Sequence, residues 1–322
     1  MESEKNKGFD ASHGPKGSET EVITPNDYLD PQNLAKLQGL DLVARRAVEG
    51  YVSGLHKSPY HGFSVEFAEH REYAPGDDIR HVDWKVWSKT DKLYLKLYEE
   101  ETNLLTYLLL DTSQSMEYAS EGNVSKLMYA KMVAASLAYL VLHQSDAVGL
   151  STFDSRVVRA LKPSGQASQL KEIINLMNQA PGREKTNLTT VFHDLAERSK
   201  RRGLIVVLSD LFDDPDRVVA GLKHFRHRRH DVVVMHVLDP AELSFPFRQT
   251  TEFKGLEGLG DVQVDPLTIR QAYQAEIQNF IEAIKRGCRV ADIDYLPLIT
   301  DQNLAVPISA YLRARQSGRK VG

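Results

Sequence analysis

Leu104-Leu-Thr-Tyr-Leu-Leu-Leu110 runs directly into Asp111-Thr-Ser-Gln-Ser115. An apolar run of this length suits a strand buried on both faces of a sheet. A carboxylate and two hydroxyls then follow at a spacing of two. All three are hard oxygen donors of the kind that Mg²⁺ prefers. In an open parallel sheet, ligands bind at the carboxyl ends of the strands. The junction therefore predicts an α/β sheet with an oxygen-rich metal site at its carboxyl edge.

Downstream of this junction the pattern alternates. Helices are predicted over Val124–Gln144, Ala167–Gln179, Leu188–Arg201, Pro215–His227 and Leu304–Arg315. Strands are predicted over Ala147–Phe153, Val157–Leu161, Leu204–Leu208, Val232–Leu238 and Val290–Leu296, with Arg248–Phe253 and Val262–Val264 as short edge strands. Asp265-Pro266 opens a further helix as N-cap and first-turn residue, and Gly287 is read as its stop. This alternation predicts an α/β fold with a doubly wound, mainly parallel sheet.

Upstream, residues 1–30 are charged and poor in large apolar residues, which predicts a disordered tail. Residues 31–103 read as an accessory segment. It comprises a helix over Pro31–Tyr51, with Leu37, Leu40, Leu42, Val43 and Val48 as its apolar positions, and a β-containing block in which Lys92–Tyr98 alternates. Residues 104–315 form the sheet domain and 316–322 a tail.

The 322 residues, 42% of them hydrophobic, suffice for one large domain with an accessory piece. A net charge of -4 supplies no global field toward nucleic acid. The single cysteine, Cys288, excludes a disulfide framework and fits a reducing compartment. Met1–Thr24 lacks the apolar core of an export signal, and no apolar run is long enough to span a bilayer. A cytoplasmic protein is expected.

Three loops carry matching chemistry: Asp111-x-Ser113-x-Ser115, Lys185-Thr186-Asn187 entering a helix, and Ser209-Asp210 ending a strand. In a doubly wound sheet all three can meet at the carboxyl edge. These residues resemble the metal-ion-dependent adhesion site of von Willebrand factor A domains. The stretch Glu66-Phe-Ala-Glu-His-Arg-Glu-Tyr-Ala-Pro-Gly-Asp-Asp-Ile-Arg80, then Val82-Asp-Trp-Lys85 and Lys92-Leu-Tyr-Leu-Lys96, resembles the signature of the "domain of unknown function 58" family. Asp239-Pro-Ala-Glu242 and Ile299-Thr-Asp301 are similar to it too.

The resemblance implies a von Willebrand factor A-like domain whose metal residues are Asp111, Ser113, Ser115, Thr186 and Asp210. Ser113 and Ser115 would ligate directly, Thr186 directly or through water, and the two aspartates mainly through water. Mg²⁺ is the expected ion, with Mn²⁺ or Ca²⁺ as alternatives. The resemblance further implies a non-enzymatic adaptor that binds an acidic residue of a protein partner and works with a MoxR-type AAA+ ATPase or that ATPase's client. Many relatives carry N-terminal membrane helices; none is expected here.

Each motif also has a plainer reading. Asp, Ser and Thr are ordinary caps at strand-to-helix turns. Pro75-Gly-Asp-Asp-Ile-Arg80 is explained by turn chemistry. His224, His227 and His230, among arginines, read as a solvated basic helix end. Cys288 reads as a small buried hydrophobe. Two other functions compete with the adaptor. One is a haloacid-dehalogenase-type phosphohydrolase with Asp111 as nucleophile and Asp210 and Asp214 as metal ligands. Ser113 stands against it, because a hydroxyl there cannot serve as general acid. The other is a metal-free scaffold.

Overall fold

The computed structural model describes residues 31–35, 39–55, 70–72, 94–96, 104–179, 188–248, 251–253 and 262–318. The first helices are α1 (Pro31–Ala35) and α2 (Leu40–Leu55), followed by β1 (His70–Glu72), β2 (Tyr94–Lys96) and β3 (Leu105–Asp111). Then come a 3₁₀ turn (Gln114–Glu117), α3 (Lys126–His143), β4 (Ala147–Phe153), β5 (Val157–Ser164), α4 (Gln169–Met177) and α5 (Leu188–Arg198). Next are β6 (Leu204–Ser209), α6 (Pro215–His227), β7 (Asp231–Leu238), α7 (Pro240–Ser244), β8 (Thr251–Phe253) and β9 (Val262–Val264). The chain closes with α8 (Pro266–Val290), β10 (Asp294–Ile299) and α9 (Ala305–Gly318).

Six strands form one sheet in the order β10-β7-β6-β3-β4-β5. All its pairings are parallel except that of edge strand β5 with β4. Its central strands are apolar on both sides because helices cover both faces. One face packs side chains of α1, α2, α3, α4 and α9. The other packs α5, α6 and α8. The doubly wound α/β sheet expected from the alternation is therefore present. From β3 the chain leaves through α3 toward β4; from β6 it leaves through α6, on the opposite face, toward β7. The winding reverses between β3 and β6, so their carboxyl ends form the switch point at which open α/β sheets bind ligands.

Several elements differ from the sequence reading. The single N-terminal helix is broken at Gly39, whose φ of 100° is open to glycine and strained for other residues. In α2, Leu40, Val43, Ala44, Ala47 and Val48 are buried at helical spacing, whereas Leu42 is exposed. This face joins the core of the sheet domain, although the sequence assigns the helix to the accessory segment. β2 lies within the alternating stretch, whose remaining residues are outside the described ones, and pairs antiparallel with β1. β8 and β9 pair with each other as a separate ribbon.

Gly287 does not stop its helix. α8 runs on to Val290, and the left-handed residue behind it is Asp292. A Cβ on Gly287 would lie 2.4 Å from Val219 Cγ2, so the glycine permits close packing of α8 on α6. The last strand accordingly starts at Asp294 instead of Val290. α9 reaches Gly318, beyond the predicted Arg315 and into the stretch read as a tail. Among the described residues, no helix is long and apolar enough to cross a membrane.

Candidate metal centre at the strand ends

β3 and β6 pair in parallel with Leu110 opposite Leu208. That register brings Asp111 and then Ser209-Asp210 to the same edge of the sheet. Asp111 is 1% exposed. Its Oδ1 accepts from the Ser113 amide at 2.9 Å, and its Oδ2 accepts from the Ser209 hydroxyl at 2.6 Å. The Ser113 and Ser115 hydroxyls lie 3.1 Å apart. Ser113 precedes the 3₁₀ turn, but its side chain makes no capping bond there. The cap of α3 is Ser125, whose hydroxyl accepts from the Met128 amide at 3.1 Å. Capping thus does not account for the hydroxyls of Ser113 and Ser115.

Asp210 is also buried. Lys126 Nζ donates to its Oδ2 at 2.8 Å and to Glu242 Oε1 at 2.6 Å. The lysine itself is 2% exposed. Glu242 Oε2 accepts from the Asp239 amide at 2.8 Å and completes the capping box that starts α7. Asp239 Oδ2 accepts from the Ser120 amide at 2.9 Å, tying α7 to the loop after β3. Below the site, His236 Nε2 lies 2.9 Å from the Asp210 carbonyl oxygen and Nδ1 lies 2.7 Å from the Tyr295 hydroxyl. Leu211, buried and left-handed at φ 53°, turns the chain away from Asp210. Such a conformation strains a leucine and is held here by the Ser209 hydroxyl on its amide at 2.9 Å. The turn leaves Phe212 63% exposed beside the site.

The electrostatics follow from burial and from who faces whom. Burial first, and the Asp210 carboxylate second, push Asp111 up to about 7, against the bonds from Ser209 and Ser113. Burial acts on Asp210 in the same sense, but the charge and hydrogen bond of Lys126 overcome it and hold the group below its ordinary value. Burial would lower Lys126; its two carboxylate partners raise it instead. Burial raises Glu242. Burial pulls His236 down to about 4, leaving a neutral ring at neutral pH.

Of the five residues predicted for the metal, the structure brings four together: Asp111, Ser113, Ser115 and Asp210. Thr186 lies outside the described residues, as does most of the Glu66–Lys96 block. Leu188, two positions after Thr186, starts α5 with its amide on Asp213 Oδ2 at 3.2 Å. Lys126 and Glu242 were not recognised as site residues from sequence. One signal was present: Lys126 is the first residue of a helix, where the macrodipole disfavours a cation.

His230 is buried, not solvated; its Nε2 lies 3.0 Å from the Ser199 carbonyl oxygen. Cys288 is buried and its thiol is pushed up to about 12 by burial, as suits a small hydrophobe. Among the described residues, no group of three or more His, Cys, Asp or Glu side chains is placed to hold a metal.

The candidate centre relies instead on two carboxylates and two hydroxyls, and its donors fit a hard cation. They are all oxygens, and each carboxylate oxygen keeps acceptor capacity beyond the bonds described. Asp111 is raised because its charge is buried near another of the same sign. A divalent cation between Asp111 and Asp210 would relieve that.

Comparison with known proteins gives the chain its relatives. The uncharacterized protein Rv1480 of Mycobacterium tuberculosis is 26% identical over 306 residues, covering 92% of this chain and 94% of that protein. The crystal structure of conserved hypothetical protein BatB from Bacteroides thetaiotaomicron is similar at 16% identity and a TM-score of 0.47, covering 67% of this chain and 99% of that one. The SpRpn10 VWA domain is similar at 12% identity and a TM-score of 0.37, covering 64% of this chain and 94% of that one. The model of the family described as "Protein of unknown function DUF58" matches residues 69–281, more than half of the sequence. The chain belongs to the DUF58 family.

Proposed function

We propose that this chain is a Mg²⁺-dependent protein-binding module of the cytoplasm, with a von Willebrand factor A-like sheet domain, that captures an acidic side chain of its partner. One observation carries the reading: Asp111, Ser113, Ser115 and Asp210 converge at the carboxyl ends of adjacent strands, and the hydroxyls are not spent on helix capping. Asp111, Ser113, Ser115 and Asp210 would hold the ion, with Thr186 as the fifth residue. Mn²⁺ or Ca²⁺ are the alternative ions. When bound, the ion would supply a Lewis-acidic position for a partner's carboxylate. Ser113 and Ser115 are neutral donors, so they leave positive charge on the ion for that carboxylate to meet. Ser209 and the Ser113 amide orient Asp111, and the exposed ring of Phe212 offers an apolar contact at the rim.

By the family resemblance, the partner is a MoxR-type AAA+ ATPase or its client, and the chain acts as an adaptor in the assembly or maturation of a client complex. The test is capture of the purified ATPase by wild type and Asp111→Ala, with Mg²⁺ and with chelator. Retention by wild type with Mg²⁺ alone supports the reading; equal retention in all four arms rejects it. The chain is proposed to be non-catalytic. Ser113, where the phosphohydrolase needs an acid, faces Ser115 instead. No Mg²⁺-dependent turnover of an aryl phosphate is expected. Turnover abolished by Asp111→Asn would install the phosphohydrolase in its place.

A further inference from the structure

Lys126 lies at the junction of two carboxylates that belong to different parts of the molecule. Asp210 follows a central strand, and Glu242 belongs to the capping box of α7. Lys126 is almost wholly shielded from water, so its ammonium depends on those two groups for its hydrogen bonds. It also occupies one oxygen of a carboxylate that the proposed cation needs. A dication at the Asp111–Asp210 pair and an ammonium on Asp210 would repel one another strongly among these buried side chains. Glu242 gives the ammonium a second place to rest.

We propose that Lys126 is a positioning residue that competes with the metal for Asp210. It holds that carboxylate when the cation is absent and yields toward Glu242 when the cation binds. The inference rests on the metal reading above. It adds that the centre is kept weak for bare Mg²⁺ and fills when a partner's carboxylate brings further negative charge. Binding of metal and binding of partner are then mutually reinforcing, as linkage requires. Because Glu242 and Asp239 fix the start of α7, and Asp239 holds the Ser120 amide, the lysine also connects the centre to the α7 end of the sheet.

The test is Mg²⁺ titration by calorimetry, with Mn²⁺ titration by electron paramagnetic resonance as the second readout. It uses three full-length chains: wild type, Glu242→Gln, and Lys126→Met combined with Glu242→Gln. Glu242→Gln removes the lysine's alternative partner, leaves the charge on Asp210, and should weaken both ions at least about threefold. The double variant removes the competitor and should bind at least about tenfold more tightly than wild type. A purely structural lysine predicts weaker binding in both variants, so opposite signs support competition. Should the double variant not fold, Lys126→Gln takes its place: binding tighter than wild type supports competition, and equal or weaker binding overturns it. Measurable and equal affinity in all three chains leaves the metal centre standing and overturns the role of Lys126. Absence of binding in every chain overturns the metal reading and this proposal together.

Discussion

Asp111 and Asp210 lie at the carboxyl ends of neighbouring parallel strands, both are buried, and they are treated unequally: Lys126 Nζ lies 2.8 Å from Asp210 Oδ2, whereas among the described residues Asp111 is met by hydrogen bonds from Ser209 and Ser113. This asymmetry holds Asp210 below its ordinary value and pushes Asp111 up to about 7. A buried carboxylate that faces a second carboxylate costs stability when ionised.

The first prediction concerns that cost. In chelator at pH 8, Asp111→Asn should stabilise the fold by about 1–3 kcal/mol, because it removes the ionised group that burial and Asp210 disfavour. The same change should abolish stabilisation by Mg²⁺, which in wild type should reach about 2.7 kcal/mol at ~100 times the dissociation constant. Urea unfolding with and without Mg²⁺ reads both effects. A variant less stable than wild type in chelator contradicts the unequal-pair account.

Phe212 supplies the second prediction. Phe212 is 63% exposed beside the site, and its amide bonds Asp210 Oδ1 at 3.3 Å through the backbone alone. Phe212→Ala should therefore leave Mg²⁺ affinity and melting temperature within error. It should weaken partner binding by about 1–3 kcal/mol if the ring is an interface anchor. Calorimetry for the ion and a pull-down or interferometry measurement for the purified partner separate the two. Unchanged partner affinity would remove Phe212 from the interface.

A third expectation concerns pH. His236 is fully buried and pulled down to about 4. The unfolded chain takes up this proton near 6.5, so below that value the unfolded state binds more protons than the native one. The histidine's contribution is complete above pH 6.5 and is lost as pH falls toward 4, by at most about 3 kcal/mol. Asp111, raised from 3.8 to about 7, acts in the opposite sense over much of the same range. The readout is therefore the difference between wild type and His236→Gln across pH 7 to 5 by urea unfolding. The variant should be less sensitive to acid; a parallel pair of curves would falsify the assignment.

Gly287 gives a prediction about packing. Helix propensity alone favours Gly287→Ala by about 1 kcal/mol. The added Cβ, however, would meet Val219 Cγ2 at 2.4 Å and Cγ1 at 3.1 Å. Overpacking of this kind costs about 1–3 kcal/mol, so the substitution should be net destabilising. Combination with Val219→Ala should recover part of the loss, as coupled neighbours do. A stabilised single variant would show that α8 can move away from α6 freely.

The strands of the sheet domain were legible because their signal is local. β3, β6 and β7 are covered on both faces, so each is a mainly apolar run wherever it sits in the sheet, with Thr106 and His236 as buried polar exceptions within the runs. The Asp111-x-Ser113-x-Ser115 loop was legible for the same reason: its donors are neighbours in the chain. The break at Gly39 and the continuation of α8 past Gly287 were not, because a glycine has the same sequence signature whether it turns a chain or admits a neighbouring helix.

The amino-acid order by itself determined the alternation of elements, the doubly wound class and the chemistry of the oxygen donors, since each follows from residues within a turn or a strand of one another. Only the tertiary structure decided which charge faces which. Lys126, Asp210 and Glu242 come from the start of a helix, the end of one strand and the turn after another, and they meet because β6 lies between β3 and β7. The value of a buried charge depends on its partners across space and on the water excluded from around them, and neither is written in the neighbouring residues.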